Sequence, residues 1–209
     1  MGGRGSGGGA GIGGGSGKPL TILESTDMIS MRGRQEREVD EVLTVMRDVQ
    51  EQYNEIIEQA VVSKLAKKDN DTMAYWSGGI LGINENYFNA ERFNLAYDVM
   101  AKNGFHPPMG NKSALEATTA HELGHALTDA IGERLGIGDI DKTARRIVGE
   151  ALKAKNKAEA KSMARGISEY ASKYDAECVA EAFCDVYCIG NNANSASKKI
   201  VNVMNKYLK

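Results

Sequence analysis

Apolar residues recur at steps of three and four positions along much of the chain, which is the spacing that one face of an α-helix presents to a protein core. The first such stripe predicts a long amphipathic helix from residue 35 to about residue 67. Later stripes predict helices at 91–102, about 113–131, 142 to about 163, 174–189 and 195–208. Asp141 is suited to cap the helix that begins at residue 142. Most of the chain is therefore expected to be helical.

The segment 72–89 differs, because aromatic and β-branched residues are concentrated in it and Gly78-Gly79 interrupts it. This pattern is typical of two strands joined by a tight turn, and it predicts a hairpin of residues 73–76 with residues 80–83. A further short strand, or only a lead-in, is expected within 20–29. The sequence as a whole predicts an α+β fold, mostly helical, with a small β-sheet.

The N-terminal segment is dominated by glycine: residues 1–17 hold 11 of the 24 glycines in the chain. We expect residues 1–19 to be a flexible tail, because glycine loses much conformational entropy on ordering, and residues 20–209 to form a single domain. A phosphate-binding loop is disfavoured, since no Gly-Lys-Ser/Thr follows at the required spacing. The composition of this tail resembles the N-termini of some phage head-associated proteins.

Charge and composition exclude several classes of partner. The 209 residues carry a formal net charge of −2, which gives no general attraction for nucleic acid or for an anionic membrane. No apolar run approaches the roughly 20 residues of a membrane span, and no apolar core follows Arg4 as in a secretory signal. We therefore expect synthesis in the cytoplasm, with later export or injection and the oligomeric state left open.

The cysteines give little sign of special chemistry. Cys178, Cys184 and Cys188 crowd into one predicted helix, a spacing that argues against a disulfide framework. They contain no Cys-x-x-Cys pair of the kind that binds zinc. Core packing is the role expected for them.

Residues with chemical potential are concentrated at 120–126, Ala-His-Glu-Leu-Gly-His-Ala. On a helix, His121 and His125 lie on one face one turn apart, so both imidazoles can bind a single Zn²⁺. Glu122 lies about 100° round the helix from His121, where it flanks the metal and suits a base that acts on metal-bound water. The alternative is that both histidines are ordinary polar residues on a half-buried helix face.

Local signals favour a helix at this motif. Asn111 or Ser113 can cap it, and Glu116 stands three residues after Ser113, as in a capping box. The remaining histidine, His106, precedes a proline, so we expect a loop position without a metal role for it. A further ligand must therefore come from another residue type.

The helix predicted at 174–189 offers that ligand. Glu177 and Glu181 stand one turn apart in an otherwise apolar stretch, and burial of an unpaired carboxylate is unfavourable. Glu177 as third ligand leaves one coordination position for water, as a catalytic zinc site requires. Glu181 then accepts the free ring N–H of one histidine and fixes its tautomer. Asp185, on the same helix, is expected to be a surface carboxylate, and the alternative is that it contacts a metal ligand.

Three segments together resemble a known family. They are Thr-Ala-His-Glu-Leu-Gly-His-Ala-Leu-Thr-Asp at 119–129, Ser-Glu-Tyr at 168–170 and Asp-Ala-Glu-Cys-Val-Ala-Glu-Ala-Phe at 175–183. The combination resembles the C-terminal peptidase domain of anthrax lethal factor and its relatives, a gluzincin-type family of zinc metallopeptidases. The resemblance covers about residues 79–186 and implies a zincin-like domain that hydrolyses peptide bonds with one catalytic zinc.

The resemblance also implies roles for individual residues. His121, His125 and Glu177 would bind zinc, and Glu122 would be the general base. Tyr170 would assist at the reacting carbonyl, with Tyr174 as a substitute for it. The resemblance further implies that an edge strand of the sheet lines the active-site cleft and receives a peptide or protein substrate by main-chain pairing. The strand residues concerned are Gly79, Ile80, Leu81, Gly82 and Ile83.

The 209 residues contain none of the large delivery and recognition domains of the toxin, so no toxin role or substrate is carried over. The rival hypothesis is a catalytically inactive zinc-binding interaction module, for instance a phage-associated structural protein whose tail and first helix bind a partner. A peptidase needs Glu122 for turnover, whereas such a module does not.

Overall fold

The computed structural model describes residues 20–21, 35–53, 59–63, 65 and 71–209, so the predicted tail at 1–19 lies outside the described residues. The described elements are β1 (Leu20–Thr21), α1 (Gln35–Tyr53), β2 (Gln59–Ser63), β3 (Ala74–Ser77), β4 (Ile80–Asn84), α2 (Ala90–Lys102), α3 (Ala114–Arg134), α4 (Ile140–Leu152), α5 (Lys157–Arg165), α6 (Asp175–Ile189) and α7 (Ser195–Leu208). The fold is α+β and mostly helical, as predicted. Within these ranges, no helix has the length and apolar character needed to cross a lipid bilayer.

The strands form one small sheet in the order β1-β2-β4-β3. The predicted hairpin is confirmed: β3 and β4 pair antiparallel across Gly78 and Gly79, whose φ angles are +57° and +82°. Positive φ at both central turn positions is the conformation that glycine adopts without strain. β2 runs parallel to β4, and β1 pairs antiparallel with β2.

The first predicted helix is confirmed at α1 but is wrong at Gln59–Ser63, which forms β2. Here Ala60 and Val62 are buried whereas Val61 is half-buried, and such alternation is the period of a strand. The sequence A-V-V fits either period over so few residues, and the parallel pairing with β4 selects the strand.

The pairing of β2 also contradicts the prediction that β4 is an edge strand. β2 covers the side of β4 that would otherwise be open, so β4 lies inside the sheet and β3 is the edge next to it among the described strands. The prediction of an edge strand was therefore wrong for Gly79, Ile80, Leu81, Gly82 and Ile83.

Helix α3 runs through the middle of the domain. It packs against α1, α2, α4, α6 and α7 and against β3, and its most extensive partner is α6. Leu123, Leu127 and Ile131 of α3 are almost fully buried in the core between these elements. The middle of this helix places polar side chains such as His121 and Glu122 away from bulk water.

The helix predicted from 142 to about 163 is instead two helices, α4 and α5. Lys153 ends α4 in the left-handed conformation, with φ of +47°. The Asn156 side chain then caps α5 by accepting from the Glu159 N–H. The cap of α4 is Asp139, which accepts from the Lys142 N–H, so the prediction of Asp141 was wrong by two residues.

Candidate metal centre

Helix α3 carries the histidine motif into the interior. The predicted capping box fixes its start: the Ser113 hydroxyl accepts from the Glu116 N–H at 3.1 Å, and the Glu116 carboxylate accepts from the Ser113 N–H at 2.8 Å. The ring centroids of His121 and His125 are 5.1 Å apart. The two imidazoles therefore share one face of the helix, as their spacing predicts.

Helix α6 brings Glu177 to both histidines. Oε2 of Glu177 lies 3.3 Å from Nε2 of His121 and 3.4 Å from Nε2 of His125. The helices approach closely at Gly124, where an added Cβ would lie 2.8 Å from Cα of Ala180. The glycine inside the motif thus permits the crossing that places a carboxylate between two imidazoles.

The two separations from Oε2 of Glu177 match the distance between neighbouring ligands of a tetrahedral zinc ion. Two ligands about 2.05 Å from zinc, at an angle of about 109°, lie about 3.3 Å from each other. Charge-assisted hydrogen bonds are shorter, roughly 2.7–2.9 Å. Nε2 of His121 and Oε2 of Glu177 are buried and have no hydrogen-bond partner in the described part of the chain, which is rare for buried polar atoms. These three residues, His121, His125 and Glu177, form a candidate metal-binding group, which can hold a metal ion.

The charged groups of this cluster shift one another's pKa. Burial raises the pKa of Glu177, but His121 and His125 outweigh it and hold that pKa below its ordinary value. Burial lowers the pKa of His121, whereas Glu177 and Glu181 raise it, and the net shift is upward. Without a cation, the cluster therefore favours an ionised carboxylate beside a protonated imidazole. A divalent cation would replace that proton, because metal binding competes with protonation of its ligands.

Glu122 lies beside the metal-binding group without belonging to it. Glu122 is only 3% exposed to solvent. Burial raises the pKa of Glu122, against the lowering effects of His121, His125 and a backbone hydrogen bond from Trp76. A carboxyl group whose pKa is moved towards neutrality is suited to accept and release a proton. Trp76 belongs to β3, so the edge strand lies next to this carboxyl group.

Glu181 is one turn further along α6 and lies behind His121. Its Oε1 is 2.8 Å from Nδ1 of His121, a close contact that is not aligned as a hydrogen bond. The same oxygen is hydrogen-bonded to Nδ1 of His106 at 2.8 Å, and Oε2 accepts from the Ser168 hydroxyl at 2.7 Å. Burial raises the pKa of Glu181, but His106 and His121 lower it to about 2. The carboxylate is therefore ionised and accepts from its neighbours.

Tyr170 lies at the metal-binding group, in a 3₁₀ turn just before α6. Its ring stacks on that of His121, with centroids 6.0 Å apart and planes inclined by 26°. Burial, followed by the neighbouring Glu177 carboxylate, raises the pKa of Tyr170, so the phenol keeps its proton. Tyr174 is 44% exposed at the N-terminus of α6. Of the two tyrosines, the structure places Tyr170 beside the metal ligands.

The sequence did not predict the roles of two residues in this region, His106 and Ser168. His106 does lie in a loop, but it is buried and bonded to Glu181 rather than free of the site. Ser168 belongs to a segment that carries the family resemblance, yet no role was predicted for its hydroxyl. The available signal for His106 was its position between Phe105 and Pro107, because a histidine flanked by apolar residues is expected to need a buried partner.

Asp185 was predicted to be a surface carboxylate, and this was wrong. It is 2% exposed and accepts from the Asn194 N–H at 2.8 Å and the Ser197 hydroxyl at 2.6 Å. Burial raises its pKa despite these bonds. The carboxylate joins the end of α6 to the start of α7 and takes no part in the metal-binding group.

The cysteines of α6 are free thiols. Cys178 and Cys184 are almost fully buried, which confirms the predicted core role for them, and Cys188 is half-buried. In the described part of the chain, the group with metal-binding geometry contains none of them.

A small cavity of about 20 Å³ lies between the metal-binding group and the start of β3. Its lining includes Glu122 and Thr118, and Oγ1 of Thr118 is buried without a hydrogen-bond partner among the described residues. A volume of this size is enough for about one water molecule. It is far too small for a peptide, and its lining includes neither Glu177 nor His125, which is half-buried.

Comparison of the chain with models of known protein families, with curated proteins and with solved structures found no match. Function must therefore be argued from the site, because fold alone does not determine it. The site consists of a three-ligand cluster on α3 and α6, a neighbouring acid with a raised pKa and a protonated phenol.

Proposed function

We propose that this protein is a zinc-dependent endopeptidase that hydrolyses peptide bonds in a peptide or protein substrate. The observation that carries the proposal is the convergence of two imidazole nitrogens on one carboxylate oxygen at 3.3 and 3.4 Å. Two histidines and one glutamate form the ligand set of well-known catalytic zinc sites, whereas structural sites use four protein ligands. Three ligands leave one position for water or substrate.

The order of the site residues supports a zincin-like, gluzincin-type domain. The histidine motif lies on one helix, Glu177 on a second helix, and Tyr170 seven residues before it, as in the lethal factor peptidase family. The α+β fold is compatible with this proposal. The resemblance implies the same reaction class but no particular substrate.

The residues around the ligands have the properties that peptide hydrolysis needs. Bound zinc would act as a Lewis acid, polarising the scissile carbonyl and lowering the pKa of water. Glu122, with its raised pKa, would take the proton from the attacking water and pass it to the leaving amine. Glu181 would keep Nε2 of His121 available by occupying the Nδ1 side of the ring.

Tyr170 would stabilise the negative charge that develops on the carbonyl oxygen. Its raised pKa means that the hydroxyl remains a donor at neutral pH. Loss of one such donor from other hydrolases reduces turnover by about 100- to 1,000-fold. Tyr174 is too exposed, at 44%, to be held in the same way.

The edge strand β3 would bind the substrate backbone. It is an outer strand of the described sheet, and its Trp76 lies against Glu122. An edge strand offers main-chain N–H and C=O groups to an extended peptide, and of these the Trp76 N–H already donates to Glu122. Binding through the main chain favours weak sequence selectivity.

The test is the comparison of wild-type protein with Glu122→Gln. We expect the variant to retain one zinc per chain in elemental analysis and to lose about 100- to 10,000-fold in cleavage of a peptide library. Glu133→Gln, at an exposed position of the same helix, is the matched control and should cleave as the wild type does. Cleavage that survives in Glu122→Gln would overturn the assignment of the base.

A zinc-binding module without catalytic activity is the second candidate. The observation that favours it is the burial of Glu122, which is only 3% exposed and so has little contact with solvent. In that case wild-type protein would contain zinc but cleave no peptide, and Glu122→Gln would change nothing measurable. Peptide cleavage by the wild type decides between the two candidates.

A further inference from the structure

His106 and His121 approach the same oxygen atom. Nδ1 of each imidazole lies 2.8 Å from Oε1 of Glu181, one from the loop after α2 and the other from α3. The rings are 6.2 Å apart between centroids and nearly perpendicular, at 77°. The carboxylate thus connects a proposed metal ligand to a histidine that does not itself belong to the metal-binding group.

The position of this carboxylate depends on donors from two separate segments. His106 donates to Oε1 and the Ser168 hydroxyl donates to Oε2 at 2.7 Å. The contact with His121 is equally short but is not aligned as a hydrogen bond. Without the His106 donor, Oε1 would lose its aligned partner and the carboxylate could turn away from His121.

The loop that carries His106 is itself held in place. The Phe105 carbonyl accepts from the Tyr170 N–H at 3.1 Å, and the Tyr97 hydroxyl donates to the Pro107 carbonyl at 3.1 Å. The His106 ring stacks on Tyr97 with centroids 5.4 Å apart. A donor fixed in this way can orient the carboxylate rather than follow it.

We propose that His106 is a positioning residue of the metal centre, which orients His121 through the shared Glu181 carboxylate. Such outer contacts fix the tautomer and ring orientation of a metal-binding histidine, and their loss commonly weakens metal affinity by 10- to 100-fold. This inference rests on the metal-binding part of the proposed function and does not require peptidase activity. Its readouts are metal affinity and metal spectroscopy.

Two substitutions separate the hydrogen bond from the packing. His106→Phe keeps an aromatic ring against Tyr97 but has no donor. His106→Asn is smaller but presents an amide N–H near the position of Nδ1. Ser197→Ala is the control, because it removes a buried hydroxyl that donates to Asp185 and leaves the Glu181 contacts and the His106 loop intact.

The experiment measures Zn²⁺ affinity by competition with a chromogenic chelator, together with the absorption spectrum of the Co²⁺ form. His106→Phe should bind Zn²⁺ about tenfold more weakly and give an altered Co²⁺ spectrum. His106→Asn should recover most of the affinity and the wild-type spectrum. Ser197→Ala should unfold at a lower temperature in its metal-free form while its Zn²⁺ affinity stays unchanged.

Wild-type affinity in His106→Phe would overturn the inference, and so would equal weakening in the Phe and Asn variants, because packing would then explain the effect. If His106→Phe does not fold, His106→Gln replaces it, with an amide one methylene further out. The inference then requires tighter Zn²⁺ binding by His106→Asn than by His106→Gln, and equal affinity refutes it.

Wild-type protein that binds no metal overturns this inference along with the metal centre. Wild-type protein that binds zinc but cleaves no peptide overturns the peptidase proposal alone.

Discussion

Replacing Gly124 by alanine should weaken metal binding more than it weakens the fold. The added Cβ would lie 2.8 Å from Cα of Ala180 and 3.2 Å from Cβ of Phe183, whereas ordinary contacts begin near 3.4 Å. Helices α3 and α6 must therefore separate by about 0.6 Å. Glu177 lies one turn before Ala180, so its Oε2, now 3.3 Å from Nε2 of His121, would move to about 3.9 Å. That exceeds the span of about 3.3 Å between tetrahedral zinc ligands.

The effects of this change on folding partly cancel. Overpacking costs about 1–3 kcal/mol, whereas alanine inside a helix is favoured over glycine by about 1 kcal/mol. The expected fall in the free energy of unfolding of the metal-free protein is thus about 0–2 kcal/mol. No such compensation applies to the ligands, so Zn²⁺ affinity should fall by about 10- to 100-fold.

Gly149→Ala is the matched control, because Gly149 lies inside α4 and a Cβ there would meet nothing within 4 Å. It should stabilise the protein by about 0.5–1 kcal/mol and leave Zn²⁺ affinity unchanged. Both variants are assayed by chelator competition and by urea unfolding in the presence of EDTA. Wild-type affinity in Gly124→Ala would refute the claim that the helix crossing sets the ligand geometry.

Three further outcomes follow from the same contacts. Ser168→Ala removes a donor to Glu181 and an acceptor for the Ala171 N–H. The free energy of unfolding should therefore fall by about 1–3 kcal/mol, and an unchanged urea midpoint would contradict this prediction. Zn²⁺ at 100 times its Kd should add about 2.7 kcal/mol, seen as a higher Tm, and a constant Tm would count against the site. The folded-state pKa of Glu181, about 2, lies below its ordinary 4.5, so its stabilisation is present above about pH 4.5 and is lost as the pH falls towards 2. In EDTA, urea unfolding across this range should show a smaller loss for Glu181→Gln than for the wild type.

Much of the candidate site could be predicted because its signals are local. The spacing of His121 and His125 requires only a helix to bring both rings to one face, and the capping box at Ser113 identifies that helix. Glu177 was predictable from a carboxylate placed in an apolar helical stretch, where burial without a partner is unfavourable. Each inference used residues within a few turns of one another.

The errors that change the site concern features that depend on distant parts of the chain. Residues 59–63 form a strand because they pair with β4, and no local sequence pattern predicts that pairing. The same pairing turned β4 into an inner strand and moved the edge to β3. His106 joined the site through Glu181, a residue 75 positions away. Contacts of this range are set by the tertiary fold, so the local sequence carries little trace of them.

The energetics of burial distinguish the roles of the three acids. Glu122, Glu177 and Glu181 are each at most 3% exposed, and burial of charge is unfavourable unless each charge is paired. Glu181 has His106 and Ser168 as donors, and its pKa is low. Oε2 of Glu177 lacks a hydrogen bond within the described residues, and a cation held with the two histidines would supply the missing partner.

Glu122 is the remaining acid, and its raised pKa shows that its compensation is incomplete. Glu122 does not serve as a ligand of the candidate metal-binding group, and the fold leaves its carboxyl group ready to take up a proton. Such a group is disadvantageous for a purely structural metal site. It is what hydrolysis requires. The asymmetry between Glu122 and the other two acids is what we expect of the proposed catalytic centre.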